Sequence, residues 1–416
     1  MHELIERALK YVDEVEISRA RTSSKEFKML LNSFEVFEAG SYEAFTLRII
    51  NKGHIGFSYF EKAEQFSEAL RRAIKLSKFS KKINPHFPER QRYRKVKVYH
   101  NSLEKADEHF VESLSDAVSV FDKGPVRHIQ SRLSLSFSEN EIVNSNGLEM
   151  KRKESLLSFL SSANSKGMTL YDVKSSRKLF DMRAFSKEVR KRTMIMRNAK
   201  KLVGDFNLIL SADVIETLFD YFLLPAVNGK AVFENRSPLA GQLGRKIASE
   251  SLNLIEEPLI DYRPSSSFAD DEGVPCKRKF LIKEGLLNTF LFNIETAAET
   301  SEKTTGNGFK YKFSKPPGIG LTNLLCESNE VQDIPSKAVL IKSIMGLHNA
   351  NRSSGDFSIQ LREAYILNKG EIGRGVISSE WRGNFFDILK QVNLVEMYEV
   401  GSYYQGPLWQ IKGKLL

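Results

Sequence analysis

Side chains able to bind a metal or move a proton are few in this chain, and badly spaced for either task. The seven histidines are His2, His54, His86, His100, His109, His128 and His348, so six precede residue 129 and the second half holds one. No two stand three or four residues apart, and neither HExxH nor HExxxH occurs. A hydrolytic zinc site needs imidazoles with a carboxylate or thiolate, commonly two His on one helical face. Cys276 and Cys326 are far apart and form no CxxC, which excludes a disulfide scaffold and a cysteine-rich zinc site and makes a reducing cytoplasm the expected compartment. A Ser-His-Asp arrangement would have to recruit His348 or an N-terminal histidine, and the chain has no GxSxG elbow. Walker and GxGxxG loops are missing too. The glycine-rich runs at 305–308 and 316–320 do not sit between strand and helix as phosphate loops do.

One acidic cluster stands out, Asp270-Asp271-Glu272, closed by Gly273. Three adjacent carboxylates offer oxygen ligands to a cation. The same run also reads as a turn ahead of a strand over 277–282, with Gly273 supplying backbone freedom. Asp356, in the segment 354–358, reads as a turn-capping carboxylate or as part of a cleft.

The elements that must position these groups divide the chain in two. Its 416 residues and 41% hydrophobic content suit two domains with substantial cores. No segment approaches the roughly 18 uninterrupted apolar residues of a membrane span, and the N-terminus carries acidic residues where a secretory signal would be basic and then apolar. The net charge of +10 concentrates at 81–97 and 174–201. Clustered Lys and Arg can hold phosphate backbones. The first segment, however, contains Pro85 and Pro88 and has no series of stacking aromatics. The second interleaves its basic residues with Ala184, Phe185, Val189, Ile195 and Met196, as the solvated face of an amphipathic helix does. The solvated face is the preferred reading, and nucleic acid is not an expected partner.

Residues 1–203 read as helix (2–11), strands punctuated at 32–33, 40–41 and 51–53, and helix (64–79). A second cycle follows: helix (102–121), strands turning at 144–147, and the basic helix. This order predicts an α+β domain of two helix–strand layers. Residues 204–416 are richer in strands and glycine, with hairpins expected at 283–285 and 368–370. Helices are expected over 214–224, 240–249, 294–301 and 384–392. So many strands are most simply held in a closed or nearly closed sheet that hides their edges. The expected fold is therefore α+β, with an N-terminal α+β domain and a strand-rich, barrel-like C-terminal domain.

Seven motifs occur in a telling order: NKGHIGFSYF, NSNGL, LAGQLGRKIAS, SSSFADDEG with the hairpin KEGLLNTFLFN, TTGNG, SGDFS, and NKGEIGRGV before a helix. Singly they are weak. Together, along most of the chain, they make it resemble the TldD/PmbA family of metallopeptidases and gyrase modulators. The resemblance implies dimers enclosing a cavity in which unfolded peptides are cut, built from metal-bearing TldD-like chains and PmbA chains, also called TldE. TldD-like chains carry HExxxH at the end of the first C-domain helix. Laid on that motif without gaps, residues 223–230 put Pro225 at the first His, Ala226 at the Glu and Lys230 at the second His, with Gly229 on the family's glycine. The tail 393–416 has no cysteine where TldD-like chains supply a further ligand.

The resemblance thus implies a PmbA/TldE-type subunit with no catalytic or metal residue of its own and no cofactor. Zinc is expected in a TldD-like partner, with unfolded peptides as substrate and a homodimer as the alternative when the chain is alone. Expected cleft or interface residues are Asp270, Asp271, Glu272, Asn307, His348 and Asp356, with the loops 304–320 and 348–357. Two other readings stay open: an autonomous peptidase using the acidic cluster with His348, and a nucleic-acid-associated protein acting through Arg190, Lys191 and Arg192.

Overall fold

The computed structural model describes residues 1–104 and 107–416. Within residues 14–176, apolar and polar side chains alternate over long stretches, and this period of two builds one antiparallel sheet. Its strands are β1 (Glu14–Leu30), β2 (Ser33–Asn51), β3 (His54–Phe60), β4 (Arg127–Asn144), β5 (Glu149–Ser165) and β6 (Met168–Ser176). They lie in the order β3-β2-β1-β4-β5-β6. The expected doubling is present. Helices His2–Ala8 and Phe66–Ser77 flank the first three strands, and Asp107–Ser119 and Met182–Met196 flank the second three. Of the helix expected over 102–121, residues 105 and 106 lie outside the described residues. The two layers join edge to edge, β1 pairing with β4 from Glu16↔Asn144 to Leu30↔Gln130.

One face of the sheet is apolar and covered by the helices. Val15, Ile17, Leu47 and Ile49 meet Ile5, Phe66, Ala69 and Ala73. Leu133, Leu135, Leu157 and Phe159 meet Phe110 and Leu114. The opposite face carries Glu16, Ser18, Thr22, Thr46, Arg48, Ser138, Asn140 and Arg152, which the registers bring side by side. The break expected at 40–41 is not a turn. β2 runs straight through it with Gly40 opposite Ser24, and Gly40 has no positive φ. A glycine tolerates extended backbone as well as a turn, and the ladder to β1 keeps it extended.

In the second half, five strands close into a barrel: Gly204–Leu210, Lys337–Met345, Asp356–Asn368, Glu380–Asn384 and Tyr404–Leu415. Closure follows because Tyr404–Leu415 pairs with Gly204–Leu210 on one side and reaches Trp381 through Leu415 on the other. Leu208, Leu210, Ile341, Ile359, Trp381 and Trp409 belong to its core, continuous with Phe219, Phe222 and Phe385. The strands Asn253–Glu256, Lys279–Lys283 and Leu324–Glu327 extend the sheet through a parallel pairing of Leu324 with Tyr404. Both expected hairpins form. The helix expected over 240–249 does not: successive turns replace it, with φ of +70° at Gly241 and +74° at Gly244. Each left-handed glycine ends a right-handed helical path. Among the described residues, no helix is long and apolar enough to cross a membrane.

Candidate functional site

The segment that the resemblance lays on the metal motif follows the helix Ala212–Leu218, which widens into a π-helical turn over Phe219–Leu223 and ends at Leu224–Ala226. The wide turn suits the residue that follows, since Pro225 has no N–H to return to the preceding turn. Phe219, Phe222 and Leu223 are buried in the barrel core and fix the register. Asn228 then caps Gly229–Phe233, its Oδ1 accepting from the N–H of Lys230 at 3.0 Å and of Ala231 at 3.4 Å. Gly229 sits against the ring of Phe292, where a Cβ would come within 2.1 Å of it. The carbonyl of Ala226 accepts from Ser237 Oγ at 2.6 Å.

Lys230 Nζ lies 3.1 Å from Glu299 Oε2, and Lys81 Nζ donates to the other oxygen of that carboxylate at 2.6 Å. The hydrogen bond from Lys81, with Lys230 beside it, holds Glu299 below the usual carboxylate range. A pyrrolidine ring, a methyl group and an ammonium already paired with a carboxylate offer zinc no neutral nitrogen, carboxylate or thiolate. The residues at these positions do not fit the ion. Among the described residues, no group of three or more His, Cys, Asp or Glu is arranged to hold a metal.

The acidic cluster is engaged elsewhere. Asp270 Oδ1 accepts from the N–H groups of Glu272 and Val274, and its Oδ2 from Gly308 N–H at 2.9 Å. Asp271 Oδ1 accepts from Arg152 Nη2 at 2.7 Å and its Oδ2 from Lys310 N–H at 2.8 Å. Glu272 is bonded to Arg48 Nη1, and its Oε2 accepts from Ile294 N–H at 2.7 Å. Arg48 in turn grips Glu16 with two bonds, of 2.8 and 2.9 Å. The run is thus a turn that Asp270 closes on itself, while Asp271 and Glu272 clasp Arg152 and Arg48 on the polar face of the N-terminal sheet. Burial, with Glu272 alongside, pushes Asp270 well above the usual carboxylate range. Burial would raise Asp271 too, but Arg152 and Lys310 outweigh it and hold it low.

The other expected site residues fall in different places. Asn307 is wholly buried, donating to Glu256 and to Gly320 O and accepting from Lys279 Nζ at 3.0 Å, so it staples the loop 304–320. His348 is exposed on the turn Leu347–Asn349. Asp356 is exposed and held by Ser354 Oγ and Asn384 Nδ2. Neither bonds to the acidic cluster among the described residues. Arg192, one of three basic residues offered for nucleic acid, is buried in pairs with Glu363 (2.7 Å) and Asp172 (2.5 Å).

Sequence reasoning missed a cavity of about 250 Å³ between the polar sheet face and residues 310–313, into which Lys310 reaches. Its floor takes Ser18, Ala20 and Thr22 from β1 and Ser138 and Asn140 from β4, which read in sequence as the ordinary small and polar face of a strand.

Residues 203–409 match the family model described as the PmbA/TldA metallopeptidase C-terminal domain, and residues 15–78 match PmbA/TldA metallopeptidase domain 1. The fold recurs in solved structures. TldE from Thermococcus kodakarensis superposes with a TM-score of 0.88 at 23% identity, covering 100% of this chain and 99% of that one. A protein from Thermotoga maritima described as a candidate modulator of a DNA gyrase gives 0.88 at 20% identity, covering 100% of both. The two models together span more than half of the chain, and it belongs to the PmbA/TldD metallopeptidase family. An uncharacterized protein of Methanocaldococcus jannaschii is 24% identical over 92% of each chain. A metalloprotease of the same organism is 26% identical over 53% of this chain and 50% of its own length. A TldD-homolog metalloprotease of Haemophilus influenzae is 25% identical over 52% and 46%. The chain therefore spans about half the length of the metalloproteases it matches.

Proposed function

We propose that the chain is the PmbA/TldE-type subunit of a two-subunit peptidase, forming one wall of a cavity for unfolded peptides while a TldD-like partner holds the zinc. The observation that carries this reading is the character of three positions. Pro225, Ala226 and Lys230 stand where TldD-like chains place His, Glu and His, and the Lys230 ammonium is already paired with Glu299. Losing both imidazoles and the carboxylate together removes the metal ligands and the general base in one step. A peptide held in extended form against a strand edge would take breadth from backbone bonding and selectivity from side-chain pockets. Obligate pairing calls for an interface of at least ~2,000 Å².

The test is metal analysis and peptide cleavage on the full chain alone, then mixed with a TldD-like partner. The chain alone should carry far less than one zinc per molecule and cut nothing. The mixture should cut unfolded peptides and stop doing so on chelation. Stoichiometric zinc in the isolated chain, or cleavage by it alone, would overturn the assignment.

A further inference from the structure

We propose that Lys310, with the cavity around it, is a binding site for a carboxylate carried by a peptide. The choice of a peptide as carrier rests on the cavity reading above; the carboxylate rests on the geometry. The walls come from both halves of the molecule. Ser18, Thr22, Ser138 and Asn140 stand on the sheet face, while Asp271 and Lys310 come from the C-terminal half. A volume of about 250 Å³ is several times the roughly 30 Å³ share of one water, enough for a carboxylate and the methylenes that carry it.

Both arginines on this face of the sheet are already paired with carboxylates, Arg152 with Glu154 at 2.8 Å and Asp271 at 2.7 Å, and Arg48 with Glu16 and Glu272. Lys310 Nζ donates to Thr46 Oγ1 at 3.0 Å and Ser18 Oγ at 3.2 Å, and forms no ion pair among the described residues. A cation withdrawn from water without a counter-ion is unfavourable. Burial accordingly lowers Lys310 to about 8, against the pull of Asp271 and Glu16. An arriving carboxylate would supply the missing charge and a charge-assisted hydrogen bond. Phe313, with its ring centroid 4.9 Å from Nζ, and Tyr311 give the methylenes apolar contact.

The experiment uses the full chain and three labelled peptides of one sequence: a free C-terminus, an amidated C-terminus, and an amidated C-terminus with one internal Glu. Fluorescence anisotropy should show the peptides bearing a carboxylate binding about tenfold more tightly than the plain amide, the size of one good charged contact. The first and third peptides separate a C-terminal from a side-chain source. Lys310→Met should erase the preference for the carboxylate peptides, and Lys310→Arg should keep it. Acetic anhydride labelling of the unaltered chain provides a check independent of folding, since carboxylate peptides should protect Lys310 and the amide should not. Equal binding and equal protection by all three peptides would overturn the Lys310 site and leave the peptide cavity standing. Binding of none would overturn both.

Discussion

Three of the histidines tie the N-terminal half together through their ring nitrogens. His86 Nδ1 bonds the Glu14 carboxylate at 2.6 Å, His54 Nδ1 bonds the Ser80 carbonyl at 2.9 Å, and His128 is locked inside the N-terminal domain. His128 Nδ1 accepts from Asn32 N–H at 3.1 Å, and Nε2 lies 3.0 Å from Ser131 Oγ. With only 2% of its surface exposed, the ring must stay neutral to keep the first bond. Burial lowers its pKa from 6.5 to about 4, opposed by a backbone bond at Gln130. Between those values the unfolded chain holds a proton that the folded chain does not, so unfolding free energy falls as pH falls through the window. The contribution is fully present above 6.5 and lost toward 4. Urea unfolding at successive pH values should show this decline, and His128→Gln, which cannot take up the proton, should flatten it. An unchanged pH slope in the variant would assign the decline to other groups.

At the scale of elements, local chemistry was legible wherever a single turn decides the outcome. Lys52-Gly53, Glu284-Gly285 and Lys369-Gly370 each pair two positive φ values, the conformation a two-residue hairpin turn needs and a sequence can advertise. Edge-hiding logic likewise anticipated the closed barrel. The segment 240–249 misled because its apolar spacing suits a helix, while Gly241 and Gly244 act through φ values that no periodicity displays. The clasp was hidden for another reason: Arg48 and Glu272 are 224 residues apart, and alternation says which face a charge is on but not which charge it will meet. The same limit concealed Lys310. At residues 223–230 the turn is set by space, since Gly229 has no positive φ but a ring against its Cα. Gly229→Ala should therefore destabilise by about 1–3 kcal/mol through overpacking, measured by chemical denaturation. Stability equal to the parent would mean that Phe292 yields freely.

For the whole molecule, the decisive feature is that its halves are joined by buried charge rather than by apolar contact alone. Arg48 links Glu16 to Glu272, Arg152 links Glu154 to Asp271, and Arg192 reaches the barrel strand at Glu363. A buried pair adds little net stability when intact, but removing one partner strands the other at a cost of about 3–5 kcal/mol. Such joints should make the halves unfold together. The chain provides its own reporters, because Trp381 and Trp409 are its two tryptophans and both are buried in the barrel core, whereas circular dichroism sees both sheets. In the parent chain the two signals should share one midpoint in denaturant. In Arg48→Met combined with Arg192→Met they should separate, with dichroism lost over a broader range than fluorescence. Because the Lys310 cavity takes walls from both halves, the double variant should also lose its preference for carboxylate peptides at denaturant concentrations where the tryptophans still report a folded barrel. Coincident transitions in the double variant would place the coupling in the apolar contacts between the halves.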